Sequence, residues 1–172
     1  MATIIGVFKD RHRAENAINE LEQLGISKTD ISCVYKDTEG DLKDRQTGEK
    51  VGSGAVKGAT AGGVLGTIAG LVVANGILPG LGTLFVAGPI ATALGFTGAA
   101  ATAVAGAATG VAAGGLIGAL SQFGISATDA KMYENYVQKG ESLVIVKTDS
   151  ETPEVLSLFN KLRAEEVRNY NK

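Results

Sequence analysis

Apolar residues change their spacing several times along the chain, and each change predicts an element. Residues 3–8, TIIGVF, form a short β-branched run that reads as a buried strand. Asp10 stands where a helix cap belongs, ahead of Ala14, Ala17, Ile18, Leu21 and Leu24 at helical spacing, and Gly25 supplies the stop. Residues 31–35 predict a second strand, with Cys33 inside it. Residues 37–54, DTEGDLKDRQTGEKVGSG, are polar and rich in turn formers, a tether or an exposed hairpin. Near the other end Ser126 and Asp129 make a capping-box pattern that opens a helix with Ala130, Tyr133 and Val137 on one face and Gly140 as its stop. Residues 143–146 are a continuous apolar strand. Thr152 and Pro153 place a cap and a first-turn proline before Val155, Leu158, Phe159 and Leu162. Residues 166–170 add a last edge strand.

The flanks therefore read β-α-β and α-β-α-β. Neither half alone has enough strands for a stable sheet. The expectation is an α+β fold: a ferredoxin-like, split βαβ head assembled from both flanks. Residues 1–36 and 122–172 are its two halves, and 37–53 the tether. A Gly/Ala-rich block at 54–121 interrupts it.

That block follows a different rule. Gly54, Gly58, Gly62, Gly66 and Gly70 recur every four residues, and a second ladder runs Gly98, Thr102, Gly106, Gly110, Gly114 and Gly118. Four residues is just over one helical turn, so each ladder lines one helix face. Glycine costs about 1 kcal/mol against alanine inside a helix; the compensation it offers is close backbone approach, the small-xxx-small packing of membrane helices. The block thus predicts a glycine-zipper helical hairpin with arms of about 54–78 and 89–121. Its breakers are Pro79, which ends the first arm, and Gly88-Pro89, which opens the second. Between the arms PGLGTLFVAG is apolar without a helical pattern. A hairpin returns the chain to the side it left, as joining the flanks requires. At 1.5 Å per residue the first arm would be about 37 Å long, enough for a hydrocarbon core of about 30 Å. The seven strongly apolar residues within 58–77 favour insertion by only about 2 to 4 kcal/mol, and Asn75 and the glycines erode that, so insertion and self-association are expected together.

Charge sharpens the division. Residues 58–121 contain no Asp, Glu, Lys, Arg or His, and all 34 charged residues of the 172 lie outside them. The formal net charge is −2 and each flank sums to −1, so no basic face for nucleic acid is expected. One Cys and one His leave no intramolecular disulfide, no His pair and no multi-cysteine metal site. The opening MATIIGVFKDRHR sets its apolar run before its charges and is not a signal peptide, which places the head in the cytoplasm. No catalytic, cofactor-binding or metal residue is expected. Cys33 reads as a small buried hydrophobe, and His12 as a solvated surface residue. Lys57, one turn from the block, is either an interfacial anchor or an ordinary solvated lysine. Gly62-Gly63-Val64-Leu65-Gly66 lacks the Lys-Ser/Thr and the preceding strand of a phosphate loop.

The opening TIIGVFKDRHRAENAINELEQLGISKTDIS, the glycine block and the return FGISATDAKMYENYVQKGESLVIVKT resemble a bacterial family, the general stress or heat-induced stress proteins with a glycine-zipper insert. The resemblance implies stress induction and membrane association, and supplies no established activity, substrate or catalytic residue. The expected function is a non-enzymatic, self-associating protein whose hairpin packs with copies of itself in or on the membrane. The alternative is a soluble oligomer whose hairpins form a shared apolar core or tunnel for lipid or another hydrophobic ligand.

Overall fold

Among the described residues seven antiparallel-paired strands form one sheet, in the spatial order Val64–Ile68, Leu71–Leu78, Gly82–Ala87, Ile31–Lys36, Ser142–Thr148, Ala2–Phe8 and Glu166–Asn171. The computed structural model describes residues 2–36, 64–68, 71–78, 81–94, 115–149 and 151–171. Its elements are β1 (Ala2–Phe8), α1 (Arg11–Gln23), a 3-10 turn (Lys28–Asp30), β2 (Ile31–Lys36), β3 (Val64–Ile68), β4 (Leu71–Leu78), β5 (Gly82–Ala87), α2 (Pro89–Ala93), α3 (Gly115–Ser121), α4 (Ala127–Gln138), β6 (Ser142–Thr148), α5 (Thr152–Lys161) and β7 (Glu166–Asn171). The fold is α+β, as expected. The four flank strands lie side by side as β2-β6-β1-β7, so the units β1-α1-β2 and β6-α5-β7 interleave, each holding a strand of the other between its own two.

Local chemistry sets the flank elements. The Asp10 carboxylate accepts from the Arg13 amide at 2.9 Å and starts α1; Gly25, at φ +88°, closes it. At α4 the Ser126 hydroxyl accepts from the Asp129 amide at 3.1 Å and donates to the Asp129 carboxylate at 2.9 Å. The acid thus meets the serine hydroxyl, where the capping-box pattern expects it on the serine backbone. For α5 the cap falls one residue before Thr152. Glu151 occupies the N-cap, its amide donating to the Thr148 hydroxyl at 3.2 Å.

Alternate strand residues feed two cores, one on each sheet face. Ile4, Phe8, Cys33, Val144 and Val146 meet Ala14, Ile18 and Leu21 of α1 and Val155 and Phe159 of α5. Ile5, Val7, Val34, Leu143 and Ile145 meet residues of α2, α3 and α4 on the other face. Covered on both sides, all seven residues of β1 are buried.

The insert departs from expectation. Val64–Ile68 and Leu71–Leu78, expected in the first helical arm, are the strands β3 and β4. The apolar stretch after Pro79, read as a turn, contains β5, which pairs with β2. The physical reason is competition. Val64, Thr67, Ile68, Val72, Val73 and Ile77 are β-branched, and the glycines tax a helix in water unless a partner backbone approaches. The β2 edge offers a sheet instead. In the second arm α2 ends at Ala93 and α3 begins at Gly115; the residues between Leu94 and Gly115 lie outside the described ones. Described insert and head share one core: Leu78, Leu84, Val86, Ile90, Leu94, Leu116 and Leu120 lie in the cluster that holds Ile5, Val34 and Leu143.

Candidate functional site

The insert meets the head along β2. Its four register pairs are Cys33 with Ala87, Val34 with Val86, Tyr35 with Phe85 and Lys36 with Leu84. Tyr35 and Phe85 stack with centroids 5.0 Å apart and planes 17° apart, and the Arg11 guanidinium sits 5.3 Å above the Tyr35 ring. Beyond the pairing the chain turns sharply at Gly88, with φ +78° and ψ −163°. A Cβ there would lie 2.0 Å from the Ile31 carbonyl oxygen, so only glycine fits. Pro89 follows in the first turn of α2. The helix end lacks a cap from its own N-cap residue. The buried Ser32 hydroxyl, from β2, accepts from the Ile90 amide at 3.2 Å in its place.

The two sheet edges differ in chemistry. At one end β7 carries Glu166 and Arg168. The Arg168 guanidinium donates to Glu166 at 2.7 Å and to Asp129 of α4 at 2.8 Å. The hydrogen bond that it donates to Glu166 holds that guanidinium's pKa above its ordinary value. Beside it the hydroxyls of Tyr133 and Tyr170 lie 3.0 Å apart. Burial, then the Tyr170 hydrogen bond, pushes the Tyr133 hydroxyl up; burial also raises Tyr170. At the other end β3, VLGTI, has no charged residue, and among the described residues it pairs only with β4. Charges are a common guard on exposed edges; β7 has them and β3 does not.

Of the ladder residues, Gly66 lies in β3, paired with Val73, and Gly118 lies half-buried in α3. Gly54, Gly58, Gly62, Gly70, Gly98, Gly106, Gly110, Gly114 and Pro79 lie outside the described residues. The sequence left Ser32 and the Arg168 group unremarked. Ser32 acts 58 residues from Ile90, so no local pattern marks it. The glutamate and arginine alternating along 166–168 were the available sign of a guarded edge.

The remaining chemistry is sparse. Burial, then the Glu15 carboxylate, pushes the Cys33 thiol up to about 12, keeping it protonated near neutrality. An open groove of about 630 Å³ is lined by Glu20, Leu24, Pro153, Glu154, Ser157 and Leu158, with Glu20 taken up by Lys161 at 3.1 Å. Among the described residues no group of three or more His, Cys, Asp or Glu side chains is placed to hold a metal ion, and no helix is long and apolar enough to cross a membrane.

No curated protein and no solved structure matches this chain. Residues 3–81, which run from β1 through β4, match the model of the heat induced stress protein YflT domain, so this stretch is similar to that stress-protein family.

Proposed function

We propose that the protein is a non-enzymatic, self-associating stress protein that acts through its uncharged insert, meeting copies of itself in or on a membrane while its head stays in the cytoplasm. The observation that carries this reading is the contrast between the sheet's two edges. The insert delivers an uncharged strand to one edge, while Arg168 and Glu166 guard the other. The family match supports a stress role. The spacing of Gly98, Gly106, Gly110 and Gly114 along the sequence is the pattern that close helix packing rewards.

The test combines sizing with flotation on phospholipid vesicles, before and after a carbonate wash. The expected particle is several times 17.5 kDa, floating with vesicles and resisting the wash. A clean monomer in both buffer and mild detergent would overturn self-association. The second reading, a soluble oligomer with a shared apolar core or tunnel for lipid or another hydrophobic ligand, draws on the insert strands' place in the head's own sheet. It predicts a large particle that stays behind when vesicles float and carries bound lipid in its intact mass.

A further inference from the structure

We propose that Val64–Ile68 and Leu71–Leu78 change backbone structure on meeting a lipid bilayer, from the strand pair β3–β4 to a helix phased by the glycine ladder through Gly66. The proposal rests on the membrane reading above and goes beyond it by naming the segment that converts and the seam that opens.

The seam is small and separate from the joint between insert and head. β4 holds to the sheet through six register pairs with β5, from Val73 with Ala87 to Leu78 with Gly82, and β3 holds only to β4 among the described residues. The β2–β5 pairing, the turn at Gly88 over Ile31 and the Ser32 cap on α2 all lie beyond that seam. Opening it frees β3 and β4 and leaves β5 and α2 docked.

Solvent decides which structure the segment takes. In water its β-branched residues favour the sheet, and its glycines penalise a lone helix. Within a bilayer the order reverses. The outer edge of β3 would leave backbone N–H and C=O groups without water or partners, whereas a helix satisfies all of them internally. Residues 64–78 carry no charge to oppose the transfer. Gly66 stands four residues from Gly62 and from Gly70, so a helix through it presents a small-residue face that close packing in lipid rewards. One sequence thus satisfies a strand pattern in water and a zipper pattern in lipid.

A reversible lock tests this in the full chain. Ile77 and Thr83 are register partners across β4–β5. Directly opposed antiparallel residues have α-carbons about 4.5–5.5 Å apart, within disulfide range. Ile77→Cys with Thr83→Cys therefore closes the seam on oxidation, and the buried, protonated Cys33 does not compete. Wild type and the double variant, oxidised and reduced, are mixed with vesicles of phosphatidylcholine and phosphatidylglycerol. Flotation and far-ultraviolet circular dichroism of the bound fraction are then read.

The expected result is that wild type and the reduced variant float and exchange strand signal for helix signal. The oxidised variant floats several-fold less, keeps its strand signal in buffer, and recovers both behaviours with dithiothreitol. Flotation of wild type with no gain of helix overturns the conversion and leaves the membrane reading standing. Equal helix gain by oxidised and reduced forms overturns the assignment to this seam. Failure of every form to float overturns the membrane reading and this inference with it. Wild type alone decides the conversion should the variant fold poorly.

Discussion

Gly88 passes so close to Ile31 that a Cβ on the glycine would lie 2.0 Å from the Ile31 carbonyl oxygen, at a backbone geometry of φ +78° and ψ −163°. This contact, with the Ser32 hydroxyl on the Ile90 amide, fastens the insert to the second strand of the head. It makes one residue answer for two separate penalties.

Gly88→Ala adds the strain of a region essentially reserved for glycine, about 1–3 kcal/mol. It also adds a clash with backbone that cannot rotate away, about 1–3 kcal/mol. The expected loss is therefore about 2–6 kcal/mol in urea denaturation. Gly25→Ala is the control: its φ is +88° and nothing lies within 4 Å of its Cβ, so only the strain applies. Equal losses at the two positions would show that the approach to Ile31 carries no weight.

Deleting residues 55–121 and bridging the gap with a short Gly/Ser linker tests how far the head stands alone. The sequence reading expects a folded head, since both flanks contribute to one sheet. The structure predicts otherwise, because the deletion strips Leu84, Val86, Ile90 and Leu116 from the core that covers Val34 and Leu143. The expected product binds a hydrophobic dye and melts without cooperativity. A sharp thermal transition would show that α4 alone can cover that face.

The same contrast explains what could be read from residues alone. Asp10 with Gly25, and Ser126 with Gly140, mark their helices because caps and stops act within one turn. That the two flanks share one sheet followed from the need to pair strands that neither half could pair itself. The strands of the insert were hidden because glycines four apart mimic a helix face whatever fold surrounds them. Choosing between strand and helix there depends on β2, a partner distant in sequence. β5 was missed because its short apolar run lies between Gly-Leu-Gly and Gly-Pro, which carry the marks of a turn.

High pH offers a separate check on the buried groups. Cys33 has a folded pKa raised from 9.0 to about 12, and Tyr133 is raised above its ordinary 10.0. In each case the unfolded chain loses its proton first, so stability is fully present below the unfolded value and falls as pH rises past it. For Cys33 the window runs from about 9 to about 12. Each group adds a slope of up to about 1.4 kcal/mol per pH unit. Urea midpoints measured from pH 8 to 11 are expected to fall, more gently in Cys33→Ala, and less steeply than wild type above pH 10 in Tyr133→Phe, where the Cys33 slope remains. Parallel curves for wild type and Cys33→Ala would mean that the thiol is not held protonated by burial.

The glycine ladders themselves can be separated by substitutions whose effects have opposite signs in the two environments. Gly66 sits in β3 opposite Val73, where glycine is a poor strand former. Gly66→Val is expected to raise stability in buffer by about 0.5–1 kcal/mol, since it removes glycine's backbone freedom and adds a branched side chain suited to a strand. Within a packed zipper the same methyls would hold two helices apart, at the 1–3 kcal/mol typical of overpacking. Gly110→Leu probes the second ladder, and Val72→Leu serves as a control that changes shape without adding a side chain at a ladder position. Thermal melts in buffer read the first effect, and oligomer dissociation on vesicles or in mild detergent reads the second. Stabilisation of Gly66→Val in buffer with weaker assembly of both glycine variants in lipid fits a segment that serves as strand and zipper in turn. Unchanged assembly in both, beside an unchanged Val72→Leu, would reduce the ladders to composition.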